Sequence, residues 1–331
     1  MLSIFYCHSE HHVSTTDHPE RAIRVDLAVK YLKNKLNSSL FVENNLSDRQ
    51  KCIDMMINIH GESILETFEM NSDDVFVCQS CKKEQFGEDT CQHCGHKYFT
   101  WYFEPDTFVS NTTKDDVIKC MSTIMNAIDT IKSGYKYSYL LTRPPNHHCF
   151  NKGNGFCIIN NVIVGARYAQ SLGYKRVYIL DWDYHAGNGT AKLLNDDTFL
   201  CSIHAFGPFV YPGTGSIEEN TSNCMNIPLP IKIHSEKSMR QYDDEFYMKL
   251  IDFCVMPSII DFKTDLIIIS NGFDAHKDDP VGGLGLTNKF FSDATKSLKQ
   301  MDIPMVYVLE GGYNPEVIRN ASSDIIDELL R

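Results

Sequence analysis

Arg176-Val-Tyr-Ile-Leu-Asp-Trp-Asp-Tyr-His-Ala-Gly-Asn-Gly-Thr190 decides how this chain is read. An apolar strand, 176–181, ends in Asp181, Asp183 and His185 at alternate positions, and period-two spacing sends all three side chains to one side. Acids and an imidazole crowded at a strand end are poor core residues, because burying charge without a partner is costly. A divalent metal is the simplest partner, and Asp/His sites suit zinc, iron or manganese. The plainer alternative is a salt-bridged turn with a capping Asp.

Three other segments favour the metal. Asp265-Leu-Ile-Ile-Ile-Ser-Asn-Gly-Phe-Asp-Ala-His276 is a β-branched strand running into Asp274. Ligands in open α/β sheets gather beyond the carboxyl ends of strands, so Asp274 could complete a three-ligand site with Asp183 and His185. Tyr139-Leu-Leu-Thr-Arg-Pro-Pro-Asn-His-His-Cys149 delivers His147 and His148 after a short apolar stretch. Pro304-Met-Val-Tyr-Val-Leu-Glu-Gly-Gly-Tyr313 ends a further strand in a glycine turn and a phenol. Four strand ends, each carrying a polar reagent, describe an active site.

The rest of the pattern is an alternation of strands and helices. Strands are expected at 138–142, 176–181, 198–203, 265–270 and 304–309, and helices at 159–171, 188–194, 235–255, 288–300 and 314–330. A first helix is expected near Pro19-Glu20 and another over 115–132. Such alternation implies a parallel sheet with helices on both faces. Residues 71–104 interrupt it. There Cys78-Gln-Ser-Cys81 and Cys91-Gln-His-Cys94 form two CxxC knuckles, the second followed by Gly95. Two knuckles close a tetrahedral structural zinc site, with His93 or His96 as possible substitutes for one thiolate. A redox CxxC is the alternative.

With 331 residues and 43% hydrophobic content, the chain can bury a large core. A formal charge of −12 argues against direct nucleic-acid binding, which needs a basic face. No apolar run approaches the roughly 20 residues that cross a bilayer. The N-terminus lacks a signal-peptide pattern, so an intracellular protein, cytoplasmic or nuclear and not secreted, is expected.

Together, His18-Pro-Glu-Arg21, Arg143-Pro-Pro-Asn-His-His148, Gly155-Phe-Cys157, Asp181-Trp-Asp-Tyr-His185, Gly272-Phe-Asp-Ala-His276 and Leu309-Glu-Gly-Gly-Tyr-Asn314 resemble the zinc-dependent histone deacetylase family, class II-like, in the arginase–deacetylase fold. The resemblance implies a three-layer α/β/α domain over 1–331 around an eight-stranded, mostly parallel sheet, with a zinc ribbon inserted at 74–104. It implies Asp183, His185 and Asp274 as ligands of a catalytic zinc, His148 as general base and acid oriented by Asn188, and His147 as its companion paired with Asp181. Tyr313 would donate to the oxyanion. Phe156 and Tyr211 would line the acyl-lysine channel beside Gly155, with Asp106 as a rim acid. Ser202 and Asp181, with Asp183 and His185, resemble a potassium site, and Arg21 resembles a structural arginine near an inner cavity.

The sequence departs from the family at Ala186, where a second histidine is common, and at Asn146, where glycine is common. The implied activity is hydrolysis of acetyl-lysine in a protein or peptide. An acetylpolyamine is the alternative substrate, although apolar Val281 occupies the likely gatekeeper position. A ureohydrolase and a non-catalytic acyl-lysine reader are the readings of other kinds. The ribbon is expected to be structural or a contact for a protein partner.

Overall fold

The computed structural model describes residues 1–14, 17–69, 75–86, 90–231 and 241–331. In order, the chain forms β1 (Leu2–Tyr6), α1 (Ile23–Lys35), α2 (Arg49–His60), β2 (Val75–Cys78), β3 (Glu84–Phe86), β4 (Phe99–Glu104), β5 (Thr107–Ser110) and α3 (Thr113–Lys132). There follow β6 (Tyr137–Leu141), α4 (Asn161–Ser171), β7 (Val177–Asp181), α5 (Asn188–Lys192), β8 (Thr198–Phe206) and β9 (Cys224–Pro230). Helix α6 (Asp244–Leu250) runs through a π turn, Ile251–Val255, into α7 (Met256–Asp261). Strand β10 (Leu266–Asn271), α8 (Asn288–Lys299), β11 (Met305–Leu309) and α9 (Pro315–Leu330) complete the chain.

The main sheet has the order β1-β6-β11-β10-β7-β8-β9, and every neighbouring pair is parallel. Its central strands β7, β10 and β11 are buried on both faces, as their near-continuous apolar runs require. In β10, Ile267 and Ile269 enter the core that holds Val29, Phe290 and Ile325 of α1, α8 and α9. Leu266 and Ile268 enter the opposite core, with Ile124 of α3 and Ile163 of α4. One strand thus feeds both outer layers, and the three-layer α/β/α arrangement follows.

The sheet has seven strands where eight were expected. Outside β1 the ladder shrinks to a single parallel bridge, Ile4 to Phe41, with Val42 N–H donating to Ile4 O at 3.0 Å. Beyond it Asn44 is drawn onto α3: its amide donates to Thr123 and its carbonyl accepts from Asn126 at 2.7 Å. At the other edge lies β9, Cys-Met-Asn-Ile-Pro-Leu-Pro, where no strand was expected. An edge strand tolerates proline, whose missing N–H can lie on the unpaired side. Of the helix expected over 235–255, residues 235–240 lie outside the described residues. The helix there starts at Asp244, where the Asp243 carboxylate accepts from Phe246 N–H at 3.0 Å.

The second sheet is antiparallel, β3-β2-β4-β5, and continues past 104 to Ser110. Its inner face, with Phe76, Phe99, Trp101 and Val109, joins the core beneath α3. Side chains tie it to the segment after β1. Gln79 donates to His11 O at 2.8 Å, Thr100 donates to Val13 O at 2.6 Å, and the His11 ring stacks on Tyr98 at 3.7 Å. Among the described residues no helix is long and apolar enough to cross a membrane.

His60 closes α2 inside this core. Its Nδ1 lies against Phe150 O, and its Nε2 accepts from Asn160 N–H at 3.3 Å. Burial pushes its pKa down to about 4. The unfolded chain takes this proton near 6.5 and the folded one does not, so the stability His60 contributes is complete above pH 6.5 and is lost toward pH 4. A His60→Gln variant should be less stable by about 1–3 kcal/mol at pH 7.5. In urea titrations at several pH values, that deficit should shrink below pH 6.5; a constant deficit would refute the linkage.

Candidate active site

The carboxyl ends of β6, β7, β10 and β11 are adjacent in the sheet, so the polar residues that follow each strand meet above one edge. Asp181 is the last residue of β7, and the chain then turns so that Asp183 and His185 follow on the same side. Ligand atoms of Asp183, His185 and Asp274 lie within 4.8 Å of one another. His185 Nδ1 is 3.2 Å from Asp183 Oδ1 and 3.0 Å from Asp274 Oδ2. Both carboxylates are fully buried. Glycine is required beside them: a Cβ on Gly272 would strike the Asp183 side chain, and one on Gly311 would strike both acids.

Backbone donors hold the acids in place. Gly311 N–H and His185 N–H donate to Asp183, each at 2.9 Å, and Tyr184 N–H donates to Asp274 at 2.8 Å. Burial, and then the Asp183 charge, push Asp274 up to about 7. No Lys or Arg side chain pairs with either acid among the described residues. Two buried carboxylates and an imidazole with no resident cation fit a divalent metal of the zinc type.

The histidine pair sits beside this trio. His147 Nδ1 meets Asp181 Oδ2 at 2.8 Å, and His148 Nδ1 meets Asn188 Oδ1 at 2.7 Å. Burial opposes a charged His147, but Asp183, Asp181 and Glu310 outweigh it and hold its pKa well above the ordinary value. Burial, then the His147 and His185 charges, push His148 well below it. The two adjacent imidazoles are therefore shifted in opposite directions, His147 by the acids around it and His148 first by burial and then by its imidazole neighbours.

Tyr313, the companion of the metal trio on the β11 side, is buried, with its N–H donating to Asp279 at 2.6 Å. Its ring stands at 88° to Phe156, centroids 5.7 Å apart. A cavity of about 360 Å³ descends to His148, His185 and Tyr313 between the Phe156 and Tyr211 rings, with Glu104, Asp106, Asn154 and Val281 at its mouth. Gly155 and Phe156 are the central pair of a tight turn in which Asn154 and Cys157 exchange both backbone hydrogen bonds at 2.8 Å. Their φ values of 54° and 68° make it a type I′ turn. A Cβ at Gly155 would strike Tyr211 and His148.

Asp106 is exposed, and its carbonyl accepts from His18 Nε2 at 3.2 Å. Ser202 is the register partner of Asp181 across β7–β8, and its hydroxyl lies 2.9 Å from His204 Nδ1. In the ribbon, Cys78 and Cys94 Sγ are 3.7 Å apart and Cys81 and Cys91 Sγ are 3.6 Å apart. A tetrahedron with Zn–S of about 2.3 Å has edges of about 3.8 Å, so four thiolates fit one zinc and neither His93 nor His96 is needed. All twelve cysteines are free, those of both CxxC pairs included.

Arg21 is not the inner arginine. It is half exposed in a surface pair with Asp17, and Arg24, one turn later, is buried in that role. Arg24 donates to Gly312 O at 2.6 Å and to Glu310 O, and its guanidinium lies 4.9 Å from the Tyr313 ring centre. Glu20 binds Arg24 at 3.1 Å and Arg143 at 2.6 and 2.8 Å. Sequence reading also passed over Glu310. Its carboxylate accepts from Asn146 N–H at 2.7 Å, His147 N–H at 3.1 Å and the Ser270 hydroxyl at 3.0 Å, which fixes the turn carrying the histidines. The i, i+4 spacing of Glu20 and Arg24 was the available signal for the first pair; Glu310 had none beyond its place beside the glycines.

Residues 18–329 match the family described as the Histone deacetylase domain, and the chain belongs to that family. It is 35% identical over 237 residues to "Type-2 histone deacetylase 2" of Dictyostelium discoideum, covering 64% of this chain and 13% of that protein. Against "Histone deacetylase 6" of Caenorhabditis elegans the identity is 30% over 327 residues, 95% of this chain and 32% of the other. Against "Histone deacetylase 14, chloroplastic" of Arabidopsis thaliana it is 33% over 244 residues, 68% and 55%. The chain thus spans from about an eighth to about half of these relatives. The crystal structure of the HDA15 HD domain superposes with a TM-score of 0.81 at 27% identity, covering 99% of this chain and 90% of that one. An acetylpolyamine aminohydrolase from Burkholderia pseudomallei shares the fold, with a TM-score of 0.75 at 19% identity and coverage of 99% and 98%.

The Glu20 cluster supplies a stability test. Glu20→Gln leaves two buried guanidinium groups without their anion, which should cost about 3–5 kcal/mol. Urea denaturation of wild type and variant measures it, and a loss below about 1 kcal/mol would show that the backbone acceptors suffice.

Proposed function

We propose that this chain hydrolyses the acetyl amide of lysine in a protein or peptide, with zinc held by Asp183, His185 and Asp274. The supporting observation is convergence: the metal trio, a histidine kept neutral and a buried phenol all meet at the foot of one aromatic-walled cavity. When bound, zinc supplies Lewis acidity, which polarises a carbonyl and acidifies water. The remaining work falls to side chains. His148, neutral and oriented by Asn188, takes the proton from the attacking water and returns it to the leaving amine. His147, charged against Asp181, adds positive potential beside the reaction. The Tyr313 hydroxyl donates to the developing oxyanion. Phe156 and Tyr211 enclose the methylene stem and exclude water, the Gly155 carbonyl faces the amide, and Asp106 holds the substrate backbone at the rim.

The same reading takes 1–331 as one catalytic domain and 74–104 as an inserted ribbon with its own zinc on Cys78, Cys81, Cys91 and Cys94. A potassium ion belongs beside Asp181 and Ser202. The ribbon stiffens the mouth and offers a surface to a protein partner. The protein acts inside the cell, cytoplasmic or nuclear, where twelve free thiols stay reduced. The presence of every reagent weighs against a non-catalytic reader.

Acetate release from an acetyl-lysine peptide should fall about 10²–10³-fold in kcat for Tyr313→Phe, with zinc content unchanged. Release from acetylated polyamines and not from the peptide would replace the substrate. Metal analysis should find two zinc ions per chain, and one in Cys94→Ser or in Asp274→Asn; two in either variant would reject that ligand. The acid side of the pH–rate profile tests His148. Its lowered pKa keeps the base form below pH 6.5, and Asn188→Asp adds a charge that raises the pKa, so the acid limb should move to higher pH. An unmoved limb would remove His148 as the base.

A further inference from the structure

The mouth of the cavity carries an acid that the proposed reaction does not use. Glu104 ends β4, lines the cavity with Asp106 and Tyr211, and is partly buried. Its carboxylate has no hydrogen-bond or ion-pair partner among the described residues. Burial pushes its pKa up. Both Glu104 and Asp106 are close enough to raise the pKa of the Tyr211 phenol, after burial and Cys157.

A backbone irregularity aims Glu104 there. Across β4–β5 the register runs Trp101 to Val109, Tyr102 to Phe108, and then Glu104 to Thr107, with Phe103 as the extra residue of a bulge. In an unbroken ladder Glu104 would share the face of Tyr102; the bulge moves it to the face of Thr107. That face looks onto the channel turn, where Thr107 Oγ1 accepts from Phe156 N–H at 3.2 Å. The hairpin tip is fixed from outside by His18, whose ring donates to Asp106 O and packs 4.6 Å from the Phe156 ring. A rigid tip therefore presents a partly desolvated anion to whatever enters, and no Lys or Arg lines the cavity to offset it.

We propose that Glu104 selects substrates carrying a second cation a few bonds beyond the acylated amine, so that the inserted ribbon hairpin sets substrate preference. This rests on the deacetylase reading above and deepens it. Two sources offer that chemistry, a basic residue beside acetyl-lysine and the free ammonium of an acetylated polyamine. A partly buried anion attracts such a cation more strongly than a surface pair does, which sets the expected size at about fivefold.

The experiment uses zinc-loaded full chain and two substrate pairs at low salt. One pair is an acetyl-lysine peptide with a neighbouring arginine against the same peptide with citrulline. The other is acetylspermidine against an uncharged acetamide of similar length. Within at least one pair, wild type should favour the cationic member about fivefold in kcat/KM, and Glu104→Gln should bring the ratio close to one. The pair that responds identifies the source. Asp252→Asn, an exposed charge on the α6–α7 segment, should keep the wild-type ratio. Ratios unchanged in Glu104→Gln, or lowered as far by Asp252→Asn, would overturn the assignment. If wild type hydrolyses none of the four, the deacetylase reading falls, and equilibrium binding of the same compounds decides on Glu104: a cation preference that Glu104→Gln abolishes supports it, and none overturns it.

Discussion

Two carboxylates, Asp183 and Asp274, are held beside one imidazole with both acids cut off from water. Their mutual repulsion is the constraint around which this edge of the sheet is arranged. Backbone N–H groups of Tyr184, His185 and Gly311 supply part of the missing solvation. Glycines at 272 and 311 let the chain come close enough to supply it. What the backbone leaves uncompensated is a charge that a divalent cation could balance, so the capacity to hold a metal and the fold of these turns are a single problem in electrostatics.

A second buried charge cluster does for the loops what the first does for the chemistry. Glu20, Arg24 and Arg143 join the segment before α1, the turn after β6 and the turn after β11. Glu310 links the last of these to the histidine turn through two accepted hydrogen bonds and to Ser270 of β10 through a third. Tyr313, His147 and His148 are therefore placed by polar contacts between segments far apart in sequence and only secondarily by their own strands.

That distinction explains what the sequence made legible. Asp181, Asp183, His185 and Asp274 stood out because strand periodicity and a strand end are local signals, and the ribbon cysteines because their spacing is. Beyond the i, i+4 contact of Arg24 with Glu20, the roles of Arg24 and Glu310 depend on backbone partners 163 to 288 residues away, which no local pattern encodes. Arg21 drew attention through its place in a motif, yet one helical turn decides which arginine faces inward. The sheet was misjudged only at its edges. There, β9 forms despite its prolines while Asn44 is captured by α3, since an edge has one neighbour and little packing to enforce its pattern.

The turn at Gly155-Phe156 has a consequence for how this protein can change. Phe156 sits at φ 68°, where a side chain costs about 1–2 kcal/mol relative to glycine. Glycine would relax the backbone there and remove the ring that walls the channel. At this position selection for a sturdier chain and selection for a tight channel pull in opposite directions.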